Sequence, residues 1–300
     1  MSRMPLRVAV GEATRALEAA GVSSPRVDAE LLAAHVLGEP RSKLPMIPLV
    51  DPPVVARLRE LAARRATREP LQHILGTAVL GPVEVAVGPG VFVPRPETEL
   101  LLEWGLGALR DVPKPTVLDL CTGSGALALA FAASRPDATV HALEADTTAL
   151  SWAKRNIDTH VAAGGRPVVL HHADVRWSNL LIDLEAAVDL VVCNPPYVPD
   201  GTALPPEVTE WDPPDAVFGG PDGTEIIAAV VGTATGLLRH GASLAIEHDD
   251  TQGDSVPALL RRRRTLSDVV EHADLNGRPR FVTARRVPAR AGARLPGGRS

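Results

Sequence analysis

Cysteine is nearly missing from this 300-residue chain, which carries only Cys121 and Cys193. Each closes a short apolar run, and the two lack the spacing of a metal-ligand set. Both therefore read as reduced core thiols of a cytoplasmic protein. Long apolar runs are missing too: none approaches the roughly 18–20 residues of a membrane span, and no signal-peptide pattern follows Met1. A basic surplus is also absent. The net charge is −5, and residues 1–88 hold 11 lysines and arginines against 9 acids while 89–300 hold 20 against 27. That balance argues against a general nucleic-acid binder. What is present, 45% hydrophobic and 22% charged residues, suits a globular chain with one large domain and one small one.

Residues 1–70 carry helical periodicity and no convincing strand. Leu6, Val10, Ala13, Leu17 and Ala20 recur at helical spacing until Gly21 stops the run. Ser24-Pro25 reads as an N-cap and first-turn proline for a helix through Asp28-Ala29-Glu30-Leu31-Leu32 to Gly38. Pro40 to Pro48 reads as a loop, and Asp51-Pro52 opens a third helix. Residues 78–93 change period: Val79, Val83, Val85, Val87, Val91 and Val93 alternate with polar or small residues around Gly81-Pro82 and Gly88-Pro89-Gly90. This predicts a linking β-hairpin. It delivers Phe92-Val93-Pro94-Arg95-Pro96-Glu97-Thr98-Glu99, where Glu97 and Glu99 stand at the start of a helix over 100–109 and favour its dipole.

From Thr116 the pattern alternates strand and helix. Strands are expected at 116–120, 139–144, 168–171, 188–193 and 243–247, with helices near 126–134, 147–160 and 224–238. This is the signature of a doubly wound α/β sheet. A helix over 255–263 and two strand-like runs, 266–271 and 280–284 around Asn276-Gly277, suggest an antiparallel closing pair. The domains expected are a helical one over 1–77, the hairpin over 78–93, a catalytic domain over 94–286, and a disordered Pro/Gly/Arg-rich tail over 287–300.

Two stretches carry chemistry. In Val117-Leu118-Asp119-Leu120-Cys121-Thr122-Gly123-Ser124-Gly125-Ala126 a strand runs through a glycine turn into a helix. Glycine lets backbone approach a ligand closely, and the helix start offers unpaired N–H groups. Glu144, 21 residues beyond Gly123 at the end of the next strand, can accept from both hydroxyls of a ribose, and Asp119 can face a ligand amino group. Gly123-x-Gly125-x-x-Ala128 equally satisfies a dinucleotide fingerprint, so a nicotinamide enzyme fits this stretch alone. The second stretch is Asn194-Pro195-Pro196-Tyr197, which follows the apolar run 188–193. Two prolines remove two backbone donors and end the strand. Such a turn presents a side-chain carbonyl, backbone carbonyls and an aromatic face to a planar NH2 group. A proline-terminated loop without a ligand also accounts for these four residues taken alone.

Taken together, the chain resembles the HemK/PrmC family, glutamine-N5 methyltransferases of peptide-chain release factors. The resemblance runs through Asp28–Leu32, Leu71-Gln72-His73-Ile74-Leu75-Gly76, Phe92–Glu99, Asp119–Ala126, Asn194–Tyr197 and Gly219-Gly220-Pro221-Asp222-Gly223. It implies a seven-stranded class I (Rossmann-like) methyltransferase domain behind a helical substrate-recognition domain. It also implies methyl transfer from S-adenosylmethionine, leaving S-adenosylhomocysteine, to the glutamine of the release-factor Gly-Gly-Gln motif. By the same resemblance, Thr122, Gly123, Ser124, Gly125 and Ala126 would cradle the methionyl part, with Asp119 nearby. Glu144 would hold the ribose, and Asp174-Val175 would lie by the adenine. Asn194, Pro195, Pro196 and Tyr197 would hold the acceptor glutamine, with Asn194, Pro195 and Tyr197 catalytic. Phe92, Arg95 and Glu97 would lie on the substrate side. Two departures stand out: Glu144 occupies a position that is usually Asp, and Glu247-His248-Asp249-Asp250 replaces a more apolar, glycine-containing stretch.

The expected protein is a cytoplasmic monomer acting on a protein partner, with no metal, no membrane contact and no direct nucleic-acid substrate. Three alternatives remain open on the residues. One is an N-methyltransferase of nucleic-acid amino groups, which shares Asn-Pro-Pro-Tyr. Another is a nucleotide-binding module without catalysis. The third is a metal site built on His171-His172 or on 247–250.

Overall fold

The computed structural model describes residues 3–288, which form two compact units. The first gathers the residues up to Ala78, Val87–Val93 and Leu204–Asp212, and the second holds Val79–Ala86, Pro94–Ala203 and Pro213 onward. The tail expected from residue 287 lies, from 289 on, outside the described residues. Among the described residues no helix is long and apolar enough to cross a membrane.

In the first unit the helices are Leu6–Ala19, Pro25–Leu37, Pro52–Ala66 and the short Leu71–Leu75. The periodic positions Leu6, Val10, Ala13 and Leu17 are buried and pack into one core with Leu32, Leu58 and Leu61. Each such leucine contributes about 1.5–3 kcal/mol of transfer free energy. Gly38 ends the second helix in the left-handed conformation at φ 64°, as only glycine does without steric cost. Ser24 and Asp51 stand at helix starts but make no side-chain cap bond, and the prolines that follow them open the helices instead.

Two features here differ from the sequence expectation. Arg41–Met46 is a 3-10 helix rather than a loop, and Met4–Pro5 pairs antiparallel with Leu49–Val50. A ladder of two residues is too short to leave a period. Residues 204–212 join this unit through a buried ionic cluster. Arg65 Nε donates to Asp28 Oδ2 (2.8 Å) and its Nη2 to Glu207 Oε1 (2.9 Å), while Arg68 Nε donates to the same Glu207 oxygen (2.7 Å). Arg65 is only 5% exposed, so removing one of its two carboxylates would leave a buried guanidinium only partly compensated.

The expected hairpin is shorter than its alternating pattern. Thr77–Leu80 pairs with Val83–Ala86 across Gly81-Pro82, and the pairing stops there. Pro89 has no N–H to give and Gly90 sits at φ 86°, so a strand cannot continue through them. Val87, Val91 and Val93 are nonetheless fully buried, which is why the alternation persists in the sequence.

The second unit is built on seven strands: β1 Thr116–Leu120, β2 Thr139–Glu144, β3 Val168–His172, β4 Val188–Cys193, β5 Leu238–Glu247, β6 Leu266–Ala273 and β7 Pro279–Arg286. Their order is β6-β7-β5-β4-β1-β2-β3. The strands from β5 to β3 run parallel, and β7 enters antiparallel between β6 and β5. This is the seven-stranded methyltransferase sheet the resemblance implies. Central strands covered on both faces read as near-continuous apolar runs, as β1 and β4 do apart from Thr116, Asp119 and Asp189. The helix Ala126–Ser134 is buried along almost its whole length, and Glu225–Leu237 packs into the core on the β4–β5 side. β5 begins at Leu238, five residues earlier than expected. Register then sets the site: Leu120 lies beside Cys193, and Cys193 beside Ile246. The turns that follow β1, β4 and β5 therefore leave the carboxyl edge of the sheet as neighbours, where open α/β sheets hold ligands.

Candidate active site

The turn after β1 alternates left-handed residues: Cys121 at φ 58°, Gly123 at φ 57° and Gly125 at φ 81°. A Cβ on Gly123 would meet nothing within 4 Å, so this backbone faces open space, whereas one on Gly125 would touch Ala153 at 3.5 Å. Asp119 braces the turn from beneath. Its Oδ2 accepts from the Thr122 hydroxyl (2.6 Å) and from Ala128 N–H (3.2 Å) in the first turn of the next helix. Burial pushes its carboxyl up to about 7 against those two bonds, with the Glu144 charge pushing the same way. Ser124 is buried, and its carbonyl accepts from Asn156 Nδ2 (2.9 Å). Asn156 also brackets the backbone of Ala86, a role that no sequence signal marks.

Glu144, at the end of β2, takes three backbone donors. Gly123 N–H reaches Oε2 (2.8 Å), and Ala145 and Asp146 N–H both reach Oε1 (2.9 Å each). Burial raises its pKa in spite of these bonds. The extra methylene of Glu over Asp thus lets the side chain tie its own turn to the glycine turn. Beyond β3, Asp174 receives the Arg176 guanidinium, which holds its carboxyl below the usual range, and Val175 is buried.

At the end of β4, Asn194 Nδ2 donates to Thr98 Oγ (3.0 Å), and Thr98 Oγ donates to Glu247 Oε2 (2.9 Å). The hydroxyl of Tyr197, the chain's one tyrosine, donates to the other carboxylate oxygen of Glu247 (3.0 Å). Glu247 is 1% exposed. Burial pushes its carboxyl up to about 7, opposed by the Thr98 and Tyr197 hydrogen bonds and by the Arg280 charge. Burial also lifts the Tyr197 phenol well above its ordinary value, so it stays a donor. Asn194 Oδ1 makes no hydrogen bond among the described residues.

The Gly219–Gly223 stretch backs this turn by close approach. A Cβ on Gly219 would lie 2.5 Å from the Pro196 carbonyl oxygen, and one on Gly223 2.1 Å from that of Tyr197. Gln252 Nε2 donates to the Tyr197 carbonyl (2.9 Å) and to that of Asp222 (3.0 Å). The unexplained acidic stretch now divides by partner. Glu247 enters the Asn194 network, His248 Nε2 meets Glu271 (2.8 Å), Asp249 caps the turn 250–252, and Asp250 faces Arg278. His171 stacks on His141 instead of joining them. Among the described residues no group of three or more His, Cys, Asp or Glu side chains lies placed to hold a metal ion.

Of the residues expected on the substrate side, Arg95 and Glu97 belong to the second unit and Phe92 to the first. Glu97 is exposed on the 3-10 turn Pro96–Thr98, and Arg95 and Phe92 are half-buried. Glu99 opens the helix to Ala108 and also accepts from Gly81 N–H (2.9 Å). Thr98 and Gln252 are not singled out by the sequence as site residues, and Glu247 enters there only as part of the candidate metal stretch 247–250. The signal for Thr98 was its place inside the Phe92–Glu99 motif, and for Glu247 the unexpected acidity; Gln252 left none.

Comparison with known proteins bears on both units. The PrmC N-terminal domain family matches residues 9–76, and the methyltransferase small domain family matches residues 85–209. The release factor glutamine methyltransferase of Mycolicibacterium smegmatis is 50% identical over 283 residues, spanning 94% of this chain and 98% of that protein. Its namesake in Streptomyces coelicolor is 46% identical over 282 residues, spanning 93% and 97%. Among solved structures, the hMettl16 catalytic domain in complex with an RNA hairpin of the MAT2A 3′UTR superposes with a TM-score of 0.52 at 16% identity, covering 76% of this chain and 84% of that one. That likeness is one of fold alone. Sequence identity of this extent across both units goes further, and the chain belongs to the release factor glutamine methyltransferase family.

Proposed function

We propose that this protein transfers a methyl group from S-adenosylmethionine to the side-chain amide nitrogen of a release-factor glutamine, leaving S-adenosylhomocysteine. The observation that carries the reading is the Asn194 carboxamide. It is held by its NH2 end while its oxygen stays unused, on a strand end beside the glycine turn. Bound S-adenosylmethionine supplies a methyl on a positively charged sulfur, an electrophile that needs a positioned nucleophile more than an acid.

An amide nitrogen is a poor nucleophile because its lone pair is shared with the carbonyl. Asn194 Oδ1 and the Pro195 carbonyl accept its two N–H protons, fixing its direction and raising its electron density. The Tyr197 ring, anchored through its hydroxyl, packs on the planar amide and stabilises developing positive charge. Transfer of that methyl would leave the bonding pair on the sulfur as a neutral thioether, and the acidified amide would pass one proton to solvent.

On the donor side the residues fit the cofactor. Gly123 opens onto space that any side chain would fill, and Thr122 to Ala126 are assigned to the methionyl part of the cofactor. Asp119 serves by holding Thr122 in place. Glu144 uses three of the roughly four acceptor directions of a carboxylate. One remains for a ribose hydroxyl, and a second hydroxyl would displace a backbone donor. Asp174 and Val175 leave the same edge of the sheet for the adenine. Phe92, Arg95 and Glu97 are assigned to the protein substrate.

The test offers labelled S-adenosylmethionine with an intact release factor, duplex DNA and tRNA in parallel. Label in the release factor alone, lost when its acceptor glutamine is changed, supports the reading; label in nucleic acid and none in protein overturns it.

A further inference from the structure

The two ends of a carboxamide have nearly the same shape and opposite hydrogen-bonding character, so Asn194 serves an N–H donor in only one of its two orientations. What selects that orientation lies one and two hydrogen bonds behind it. The Thr98 hydroxyl has a single hydrogen. An ionised Glu247 has none and can only accept, so that hydrogen goes to Glu247 Oε2. The Thr98 lone pairs are left facing Asn194, and only the NH2 end can donate to them. Oδ1 is thereby turned to the acceptor side. The second oxygen of Glu247 is occupied by the Tyr197 hydroxyl, so one buried carboxylate holds both ends of the Asn-Pro-Pro-Tyr turn.

We propose that Glu247, acting through Thr98, is the positioning residue that sets the polarity of the acceptor site, so that it takes an N–H donor and refuses a carbonyl or carboxylate. This rests on the reading of Asn194 as the acceptor contact. Neither Glu247 nor Thr98 touches the reacting atoms.

The groups that face Glu247 are Thr98 and Glu97 on the 3-10 turn, Tyr197 and Cys193 around the end of β4, and Arg280 on β7. Of these, Arg280 favours the ionised form and Glu97 opposes it. When Glu247 takes up a proton it becomes a donor. The Thr98 hydrogen is then free to turn toward Asn194, and the carboxamide rotates to offer Oδ1 inward and NH2 outward. An acceptor amide meets a donor where it needs an acceptor.

The experiment measures transfer to the intact release factor at saturating cofactor across pH 5.5–8.5, in wild type, Asn194→Ala, Thr98→Val, Thr98→Ser and Glu247→Gln, with cofactor affinity by calorimetry for each. The expected wild-type rate at saturating cofactor rises with pH through about 7, where Glu247 ionises, while Asp119, raised to about 7 beneath the glycine turn, shows itself in the cofactor affinity. Thr98→Val, which keeps the shape and removes the hydroxyl, is expected to lose at least roughly 10-fold in kcat, with cofactor affinity within about threefold of wild type. Thr98→Ser should restore most of the rate. Glu247→Gln should be slow at every pH and lack the rise near 7. A Thr98→Val protein as fast as wild type overturns the proposal, as does a Glu247→Gln protein that keeps the wild-type rate and profile. If Thr98→Val does not fold, the wild-type and Glu247→Gln profiles decide. Should Asn194→Ala transfer at full rate, the acceptor reading itself fails and takes the proposal with it. An inactive Asn194→Ala beside a fully active Thr98→Val sinks the positioning role alone.

Discussion

Glu207 and Glu247 are both withdrawn from water, yet they end in opposite electrostatic states. Burial pushes each carboxyl upward. At Glu207 the hydrogen bonds from Arg68 and Arg65 outweigh it and hold the group at about 2. At Glu247 the bonded partners are two hydroxyls, the Arg280 charge acts without a direct bond, and the group comes out at about 7. A carboxylate locked by two guanidinium groups is ionised at every working pH and serves as a fastener. One held by neutral donors remains able to change state, which is the property expected of a site rather than a scaffold.

The largest effect should come from breaking the fastener. Glu207→Gln removes the charge that pairs with buried Arg65 and half-buried Arg68, at a cost of about 3 kcal/mol with Asp28 still holding Arg65, read as a lower midpoint in urea unfolding. A change below about 1 kcal/mol would mean that water reaches these arginines and that the contrast with Glu247 is overdrawn.

Glu247→Gln should act in the other direction. The wild-type carboxyl ionises at about 4.5 in the unfolded chain but at about 7 in the fold. Raising the pH across that window therefore draws the proton from the unfolded state first and lowers stability. Glutamine has no such loss, so the variant should gain about 1–3 kcal/mol on wild type between pH 5 and pH 8 in paired thermal melts. Glu207 works the opposite window. Its contribution is complete above about 4.5 and disappears as pH falls through about 2. A Glu247→Gln curve parallel to wild type would remove the distinction.

Two glycines sharpen the contrast between the turns. Gly223→Ala would push a methyl to 2.1 Å from the Tyr197 carbonyl, at φ 72°, and should cost about 2–4 kcal/mol together with most methyl transfer. Gly123→Ala meets no neighbour and should cost only the 1–2 kcal/mol of a left-handed alanine, while cofactor affinity measured by calorimetry falls sharply. At the bottom of the scale stands Lys154→Ala, which removes an exposed pair with Asp158 and should move stability by less than about 0.5 kcal/mol.

How much of this was legible in the sequence depends on the range of the forces involved. The parallel strands could be read because burial on both faces demands continuous apolar runs. The glycine and Asn-Pro-Pro-Tyr turns could be read because backbone chemistry there is local. Glu247 could be seen as odd but not understood, since its partners Thr98 and Tyr197 lie 149 and 50 residues away in the chain. Residues 204–212 gave no sign of joining the first unit, because what recruits them is a charge pair with arginines far upstream. The alternation over 87–93 misled for a third reason: burial alone reproduced the pattern that a ladder would have left.

The attachment of Glu207 also bears on how the chain is made. Arg68 and Glu207 are separated by 139 residues. At ordinary elongation rates of about 5–20 residues per second the ribosome needs on the order of 10 s to travel from one to the other. Through that interval the nascent bundle has its helices and Asp28 but not the carboxylate that completes its ionic cluster. The pairing of Arg68 with Glu207 therefore waits until the Asn-Pro-Pro-Tyr segment has already been made. Vectorial synthesis thus starts the first unit early and finishes it late, after residues 194–197 have been laid down.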